Sequence, residues 1–188
     1  MRRQSAAAAA FLCAAAALAH VTPNVTLIRK GDFLKQALPG AAKYFEKQLM
    51  ISGPDGAAIH QATGWTPTEE DTKVYVGRDA QGRLVGSVIF LWLPSQHGPV
   101  GLAVAFDPGR TVRQVAITDV GTEPLVWVRP IVDGGGLSAL EGLAQNAAPN
   151  AERLTPPGAG GMTRYYAKIV ADGVVRAQRI EALVQDSP

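Results

Sequence analysis

The chain has 188 residues, of which 47% are hydrophobic and 18% charged, and its formal net charge is +2. This length suits one domain with its own apolar core. Arg2 and Arg3 supply the whole positive excess, so the rest of the chain is neutral and has no basic block. The charge balance therefore excludes nucleic acid and an anionic membrane as the main partner.

Residues 1–19 have the pattern of a cleavable signal peptide. The stretch starts with two arginines, continues with a short apolar run and ends in Ala17-Leu18-Ala19, a small-x-small cleavage site. The apolar run is short for a bilayer span, so a transmembrane anchor is the weaker alternative. The sequence predicts an exported, periplasmic or extracytoplasmic protein whose single domain comprises residues 20–188.

Common catalytic and metal-binding groups are scarce. The only cysteine, Cys13, lies within the predicted signal, and Leu12 before it is not the small residue of a lipoprotein signal. Without cysteine the exported domain has no disulfide framework and no cysteine-ligated metal. The histidines His20, His60 and His97 lack metal-type spacing, so we predict no metal site and assign no catalytic residue.

The first third of the chain has helical and turn signals. We predict a helix capped by Asp32 and ended by Pro39-Gly40. The segments that follow are a second helical run over 41–49, a turn over 53–56, a short strand over 57–61 and a loop over 65–71.

The middle of the chain consists of strand-like segments rich in β-branched and aromatic residues. Short turns separate them, which indicates antiparallel pairing. The segments are Val74–Val76, Leu84–Leu93, Pro99–Phe106 and Thr111–Asp119.

The last third is predicted to be mostly helical. An apolar stretch over 125–132 is split by Pro130, a short helix follows over 137–143, and a polar linker covers 145–155. From Arg164 onward apolar residues recur with helical spacing. The predicted fold class is α+β, an antiparallel sheet flanked by helices, with a C-terminal amphipathic helix after a Gly-rich loop.

That Gly-rich loop, residues 156–163, is a candidate phosphate site. Two prolines stop any earlier element, and three glycines let the backbone approach a ligand closely. Thr163 stands where a helix N-terminus exposes unpaired N–H groups and partial positive charge. The alternative is a plain linker with Thr163 as an ordinary N-cap.

Two further loops are candidates for a binding site. Residues 95–99 join two long strands, and Gly98 and Pro99 allow close backbone approach; the alternative is a plain hairpin connection. Residues 121–124 leave the last strand and carry Glu123; the alternative is a turn with an exposed carboxylate.

The order of these motifs resembles that of the FMN-binding domain family, which includes exported flavin-carrying subunits of sodium-pumping NADH:quinone reductase and of related ion-pumping ferredoxin complexes. The resemblance covers about residues 33–184. The motifs that carry it are Leu38-Pro39-Gly40-Ala41, Asp79-Ala80-Gln81-Gly82, His97-Gly98-Pro99-Val100, Phe106-Asp107-Pro108, Thr122-Glu123-Pro124 and Gly160-Gly161-Met162-Thr163.

The resemblance implies how a flavin would attach. In the family, a Ser/Thr-Gly-Ala-Ser/Thr motif opens the last helix, and a flavin transferase esterifies its final hydroxyl with the FMN phosphate. The matching residues here are Gly160, Gly161, Met162 and Thr163, so the second glycine and the hydroxyl are kept and two positions differ. An upstream acidic residue is also absent, which leaves covalent and reversible attachment as alternatives.

The resemblance also implies an electron carrier more than a classical enzyme. Its isoalloxazine ring would lie against His97-Gly98-Pro99, Thr122, Glu123 and Trp127. Its partners would be redox proteins, including a membrane electron-transfer complex. The alternatives are a flavin-dependent reductase with its own substrate and a cofactor-free structural or interaction domain of the same fold.

Overall fold

The computed structural model describes residues 23–67 and 73–184. The predicted signal peptide, its cleavage site, Cys13 and His20 lie outside the described residues, as does most of the predicted 65–71 loop. The strands are β1 (Asn24–Thr26), β2 (Lys43–Gln48), β3 (Lys73–Arg78), β4 (Leu84–Leu93), β5 (Val100–Phe106) and β6 (Val112–Gly121).

These strands form one antiparallel sheet in the order β1-β6-β5-β4-β3-β2. The helices are α1 (Lys30–Ala37), α2 (Gly53–Thr63), α3 (Leu125–Asp133) and α4 (Gly161–Val184), with 3₁₀ helices at Gly136–Leu140 and Ala151–Leu154. The predicted α+β class is confirmed, including the antiparallel sheet and the C-terminal helix after the Gly-rich loop.

Helices pack on both faces of the sheet because β5 is buried on both. Leu102 and Val104 belong to the larger core, which α3 and α4 cover, whereas Ala103 and Ala105 belong to a smaller core under α1. Gly173 lets α4 approach closely, since a Cβ there would come within 2.7 Å of side-chain atoms of Leu102. Alternating side chains on a central strand thus fix the two layers.

Two predictions for the first third are wrong. The predicted helix over 41–49 is strand β2, because residues 43–48 pair with β3 along their whole length. The predicted turn over 53–56 and strand over 57–61 together form α2, which accommodates Pro54 in its first turn and ends at Gly64 with φ +66°.

Three smaller predictions also need correction. Helix α1 begins at Lys30, so Asp32 lies within the first turn instead of capping the helix. Pro130 does not split its segment, because helix α3 continues through it. Proline has no N–H, so the backbone hydrogen bond to the carbonyl of Val126 is lost, and Val126 is exposed. The predicted polar linker contains Leu154, which is fully buried against the larger core.

Candidate functional site

Sheet topology brings the two candidate loops to the same end of the molecule. The end of β4 pairs with the start of β5 at Leu93 and Val100, and Val100 pairs with Val120 at the end of β6. The 94–99 and 122–124 loops therefore lie side by side. A Cβ on Gly121 would lie 3.7 Å from the carbonyl oxygen of His97, which shows how closely the two backbones approach.

His97 and Glu123 meet across these loops. The His97 Nδ1 atom lies 2.8 Å from Glu123 Oε1, with the two side chains 31% and 51% exposed. An ionised carboxylate only accepts hydrogen bonds, so the contact places the imidazole proton on Nδ1. In the neutral ring Nε2 is then an acceptor, available to a ligand N–H or O–H.

An aromatic cluster lies beside this pair. The ring centroids of His97 and Trp127 are 4.9 Å apart, and Trp127 stacks on Tyr166 at 6.0 Å with an interplanar angle of 13°. Tyr165 meets Tyr166 edge to face at 5.2 Å. The cluster therefore connects the 94–99 loop, α3 and the second turn of α4.

Hydrogen bonds hold the 94–99 loop to the same turn of α4. Ser95 Oγ lies 3.0 Å from the Tyr166 hydroxyl, and the backbone N–H of Gln96 donates to the Tyr165 hydroxyl at 3.3 Å. Burial raises the pKa of Tyr166, so its phenol remains a neutral hydrogen-bond donor at physiological pH.

The start of α4 differs from the predicted cap. Helix α4 begins at Gly161, and the N–H of Arg164 donates to the Gly160 carbonyl at 3.2 Å. Gly160 therefore occupies the N-cap position, and Thr163 is the third helical residue, only 5% exposed. The interpretation of Thr163 as the N-cap is wrong, and the partly buried Met162 beside it packs against the larger core.

The glycines of this loop have different roles. Gly158 adopts φ +76°, which favours glycine in a tight turn. Gly160 and Gly161 have no positive φ, and a Cβ at either would meet no atom within 4 Å. Nothing in the described protein requires glycine at these two positions, so the space beside them is open to an external group.

The loop before α4 forms a hollow of about 360 Å³ that Arg164 and Glu152 line together with the segment 155–159. In the described part of the chain, the N–H groups of residues 161–163 have no protein hydrogen-bond partner. Such orphan donors, with an adjacent guanidinium, are the groups that bind a phosphate at a helix N-terminus.

The remaining predicted site residues lie at the edges of this region. Gly98 adopts φ +113°, a backbone angle that favours glycine. A Cβ at this position would meet no atom within 4 Å, so packing against other residues does not require glycine here. Pro99 is exposed. Thr122 is exposed and lines a separate hollow of about 480 Å³ on the outer side of α3.

Sequence patterns did not identify Arg164 and Tyr165 as members of this site, and they placed Tyr166 only in the core stripe. Ser95 was included in the candidate 95–99 loop, but its contact with Tyr166 was not predicted. The consecutive tyrosines directly after a Gly-rich loop are the signal that could have found them. Tyr166 is buried in the core, whereas Tyr165 is partly exposed and lies towards the loop.

Comparisons with known proteins give no family: no family model, no curated protein and no solved structure matches the chain. Among the described residues, none of the helices is both long enough and apolar enough to span a bilayer. The same residues include no group of three or more His, Cys, Asp and Glu that could hold a metal ion.

Proposed function

We propose that this chain binds FMN reversibly between the 94–99 loop, Glu123 and the start of α4, and that it transfers electrons as a carrier. The observation that carries the proposal is that one helix supplies both halves of the site. The orphan N–H groups lie in the first turn of α4 and the tyrosines in the second, about 3–7.5 Å apart along the axis at 1.5 Å per residue.

The first turn fits the phosphate half of FMN. Three N–H groups there have no hydrogen-bond partner among residues 23–67 and 73–184, and Arg164 lines the adjacent hollow. The helix dipole contributes about 0.3–1 kcal/mol towards an anion at an exposed N-terminus. The open space beside Gly160 and Gly161 lets a phosphate oxygen approach the backbone.

The second turn and the two loops fit the ring half. Trp127 and the partly exposed Tyr165 supply flat apolar surface, the buried Tyr166 ring supports Trp127 from behind, and the His97–Glu123 pair supplies polar groups that could orient the ring edge. When bound, FMN supplies one- and two-electron redox chemistry. The chain's own residues hold and orient it, and redox proteins outside the cytoplasm are the proposed partners.

Burial of Thr163 supports reversible binding over a phosphoester. A transferase must reach the hydroxyl that it esterifies, and Thr163 is only 5% exposed. A cofactor-free interaction domain is the second candidate, because Met162 packs into the core and the His97 and Trp127 rings already contact each other.

Titration of the purified chain with FMN and with riboflavin tests the proposal. We expect FMN to bind at least about tenfold more tightly than riboflavin, because only FMN carries a phosphate, and a tenfold ratio is about 1.4 kcal/mol. Arg164→Gln should lower the affinity for FMN and leave that for riboflavin unchanged, as measured by quenching of flavin fluorescence.

Lys168→Gln is the matched control, since this exposed cation lies one turn further along α4. It should leave both affinities unchanged. Failure to bind either flavin would instead favour the cofactor-free domain. A flavin adduct on Thr163, seen by intact-protein mass spectrometry after co-expression with a flavin transferase, would overturn the reversible mode.

Two glycine substitutions should separate ligand approach from backbone strain. Gly161→Ala adds a methyl group in open space at ordinary φ, so it should keep or slightly raise stability and still lower FMN affinity by crowding the phosphate.

Gly98→Ala should lower the free energy of unfolding by about 1–3 kcal/mol, because φ +113° is strained for alanine. Thermal unfolding and flavin titration of both variants check this, and unchanged FMN affinity in Gly161→Ala would remove the phosphate from that turn.

A further inference from the structure

A second hollow, of about 280 Å³, lies on the opposite face of the sheet from α4. Helix α1 covers only part of that face, over Val88, Ala103 and Ala105. Beyond the N-terminus of α1, where Lys30 lies, the sheet surface is open. The residues that line the opening are Lys30, Lys73, Phe90, Leu91, Trp92, Gly101, Thr118 and Asp119.

The floor of this hollow is fixed by packing within the sheet. A Cβ on Gly101 would lie 2.5 Å from Thr118 Oγ1 and 3.1 Å from the backbone nitrogen of Asp119. The pairing register shifts at this point, where Gly101 pairs with Asp119 and Leu102 pairs with Ile117. The extra residue, Thr118, is a β-bulge that excludes any side chain at 101 and leaves a depression in the sheet.

The middle of the hollow is aromatic and partly exposed. Trp92 is 45% exposed on β4, and Phe90 is half-buried two residues earlier on the same side of the strand. Exposed indole surface of this kind favours contact with an apolar group.

One side of the hollow is cationic. Lys30 Nζ donates to the Tyr75 hydroxyl at 3.2 Å and lies 4.8 Å and 4.7 Å from the Tyr75 and Phe90 ring centroids. Burial and a hydrogen bond to Glu46 raise the pKa of Tyr75 to about 12, so this phenol is neutral. The Glu46 carboxylate interacts electrostatically with both Lys30 and Lys73, so this side holds two cations against one anion. Lys73, on the same side, pairs with Glu46 at 3.0 Å.

The other side of the hollow is anionic. Asp119, on β6, accepts a hydrogen bond from Thr26 Oγ1 at 2.7 Å, which fixes its carboxylate and leaves further acceptor sites on its oxygens. Strands β3 and β6 are three strand spacings apart in the sheet, about 14 Å at the usual separation. Charges of opposite sign therefore flank an aromatic surface.

From this arrangement we infer that the hollow binds a short linear peptide with free termini. Its amino group pairs with Asp119, its carboxylate pairs with Lys30 and Lys73, and an apolar central side chain contacts Trp92. An extended chain covers about 3.3–3.6 Å per residue, so roughly four residues span the distance. This site shares no residue with the proposed flavin site and does not depend on it.

Calorimetric titration of the full chain with the tetrapeptide Ala-Leu-Leu-Ala tests the inference, at low salt where surface charges act most strongly. N-acetylation or C-terminal amidation of the peptide should each weaken binding about tenfold, the effect expected when one charge-assisted contact is lost. Trp92→Ala should weaken binding of all three forms.

Two variants assign the ends. Asp119→Asn keeps an acceptor for Thr26 and should abolish the preference for the free amino terminus alone. Lys30→Met should reduce the preference for the free carboxylate alone, because Lys73 remains at that end. Lys35→Met is the matched control, because this exposed lysine of α1 does not line the hollow, and it should change neither preference.

Circular dichroism and thermal unfolding establish whether each variant is folded. If Trp92→Ala does not fold, Asp119→Asn still tests the inference. The inference is overturned if no form of the peptide binds at millimolar concentration, or if capped and free peptides bind equally. It is also overturned if sedimentation shows a dimer that Trp92→Ala dissociates, since the face would then be an interface between two copies of the chain.

Discussion

Raising the pH from about 4.5 to about 7 should destabilise this protein through one side chain, Glu181. Glu181 is 3% exposed in the last third of α4, where Ser87 Oγ of β4 donates to its Oε2 atom at 2.7 Å. Burial raises its pKa from 4.5 to about 7, although the hydrogen bond from Ser87 and the positive charge of Arg110 oppose the shift.

The direction follows from proton binding. Between the two pKa values the folded state holds a proton on Glu181 and the unfolded state does not, so the free energy of unfolding falls as pH rises. The contribution is fully present below about pH 4.5 and is lost above about pH 7. A shift of this size corresponds to about 3 kcal/mol as an order of magnitude.

Glu181→Gln is the direct test, because glutamine is neutral at every pH and its side-chain oxygen still accepts from Ser87. Denaturant unfolding of both proteins should show similar stability near pH 4.5 and a variant more stable by about 3 kcal/mol near pH 8. Taking the difference between two proteins cancels the other titrating groups. A flat difference across this pH range for Glu181→Gln would refute the assignment.

The sheet was predictable because its strands carry their own signal. Segments 84–93 and 100–106 are long runs of β-forming residues bounded by turn residues, and the structure places β4 and β5 there. Strand β5 is buried on both faces and β4 over most of its length, which explains why both segments are continuously apolar in the sequence. Short turns then left antiparallel pairing as the simple solution.

Strand β2 was not predictable, since its residues show no alternation. Nearly all of Lys43–Gln48 is exposed on this sheet edge, so neither face needs apolar residues. Pairing with β3 decides its conformation, and that information is not local. The prediction for helix α2 was wrong for a related reason. Ile59 is its one buried residue, and Gly53-Pro54 is equally typical of a turn.

The candidate site was predicted in part. Motif order identified His97, Glu123 and Trp127, and the structure brings these three side chains together. It did not reveal that Thr163 lies inside the helix and is buried, because the spacing of apolar residues fixes a helix's period more firmly than its first residue.

Tyr166 is the residue whose loss should most disturb the site. It is fully buried, stacks on Trp127 and lies 3.0 Å from Ser95 Oγ. Ser95 Oγ donates to the Gly98 carbonyl, and a hydroxyl has only one proton, so the Tyr166 hydroxyl must be the donor to Ser95. This chain of two hydrogen bonds ties the 94–99 loop to α4.

Two substitutions at Tyr166 should therefore differ sharply. Tyr166→Ala should lower the free energy of unfolding by about 3–5 kcal/mol, the usual cost of truncating a large buried aromatic side chain. It should also release the loop that carries His97 and abolish flavin binding.

Tyr166→Phe removes only the hydroxyl, so we expect the free energy of unfolding to fall by about 1 kcal/mol. Because the ring that supports Trp127 remains, flavin affinity should be kept. Denaturant unfolding measures the stability of the variants, and FMN titration measures their flavin affinity. Tyr165→Phe is the control, because it also removes a tyrosine hydroxyl, one that accepts a hydrogen bond from the loop backbone. If Tyr166→Phe lost flavin affinity as completely as Tyr166→Ala, the hydroxyl and not the stacked ring would be what the site requires.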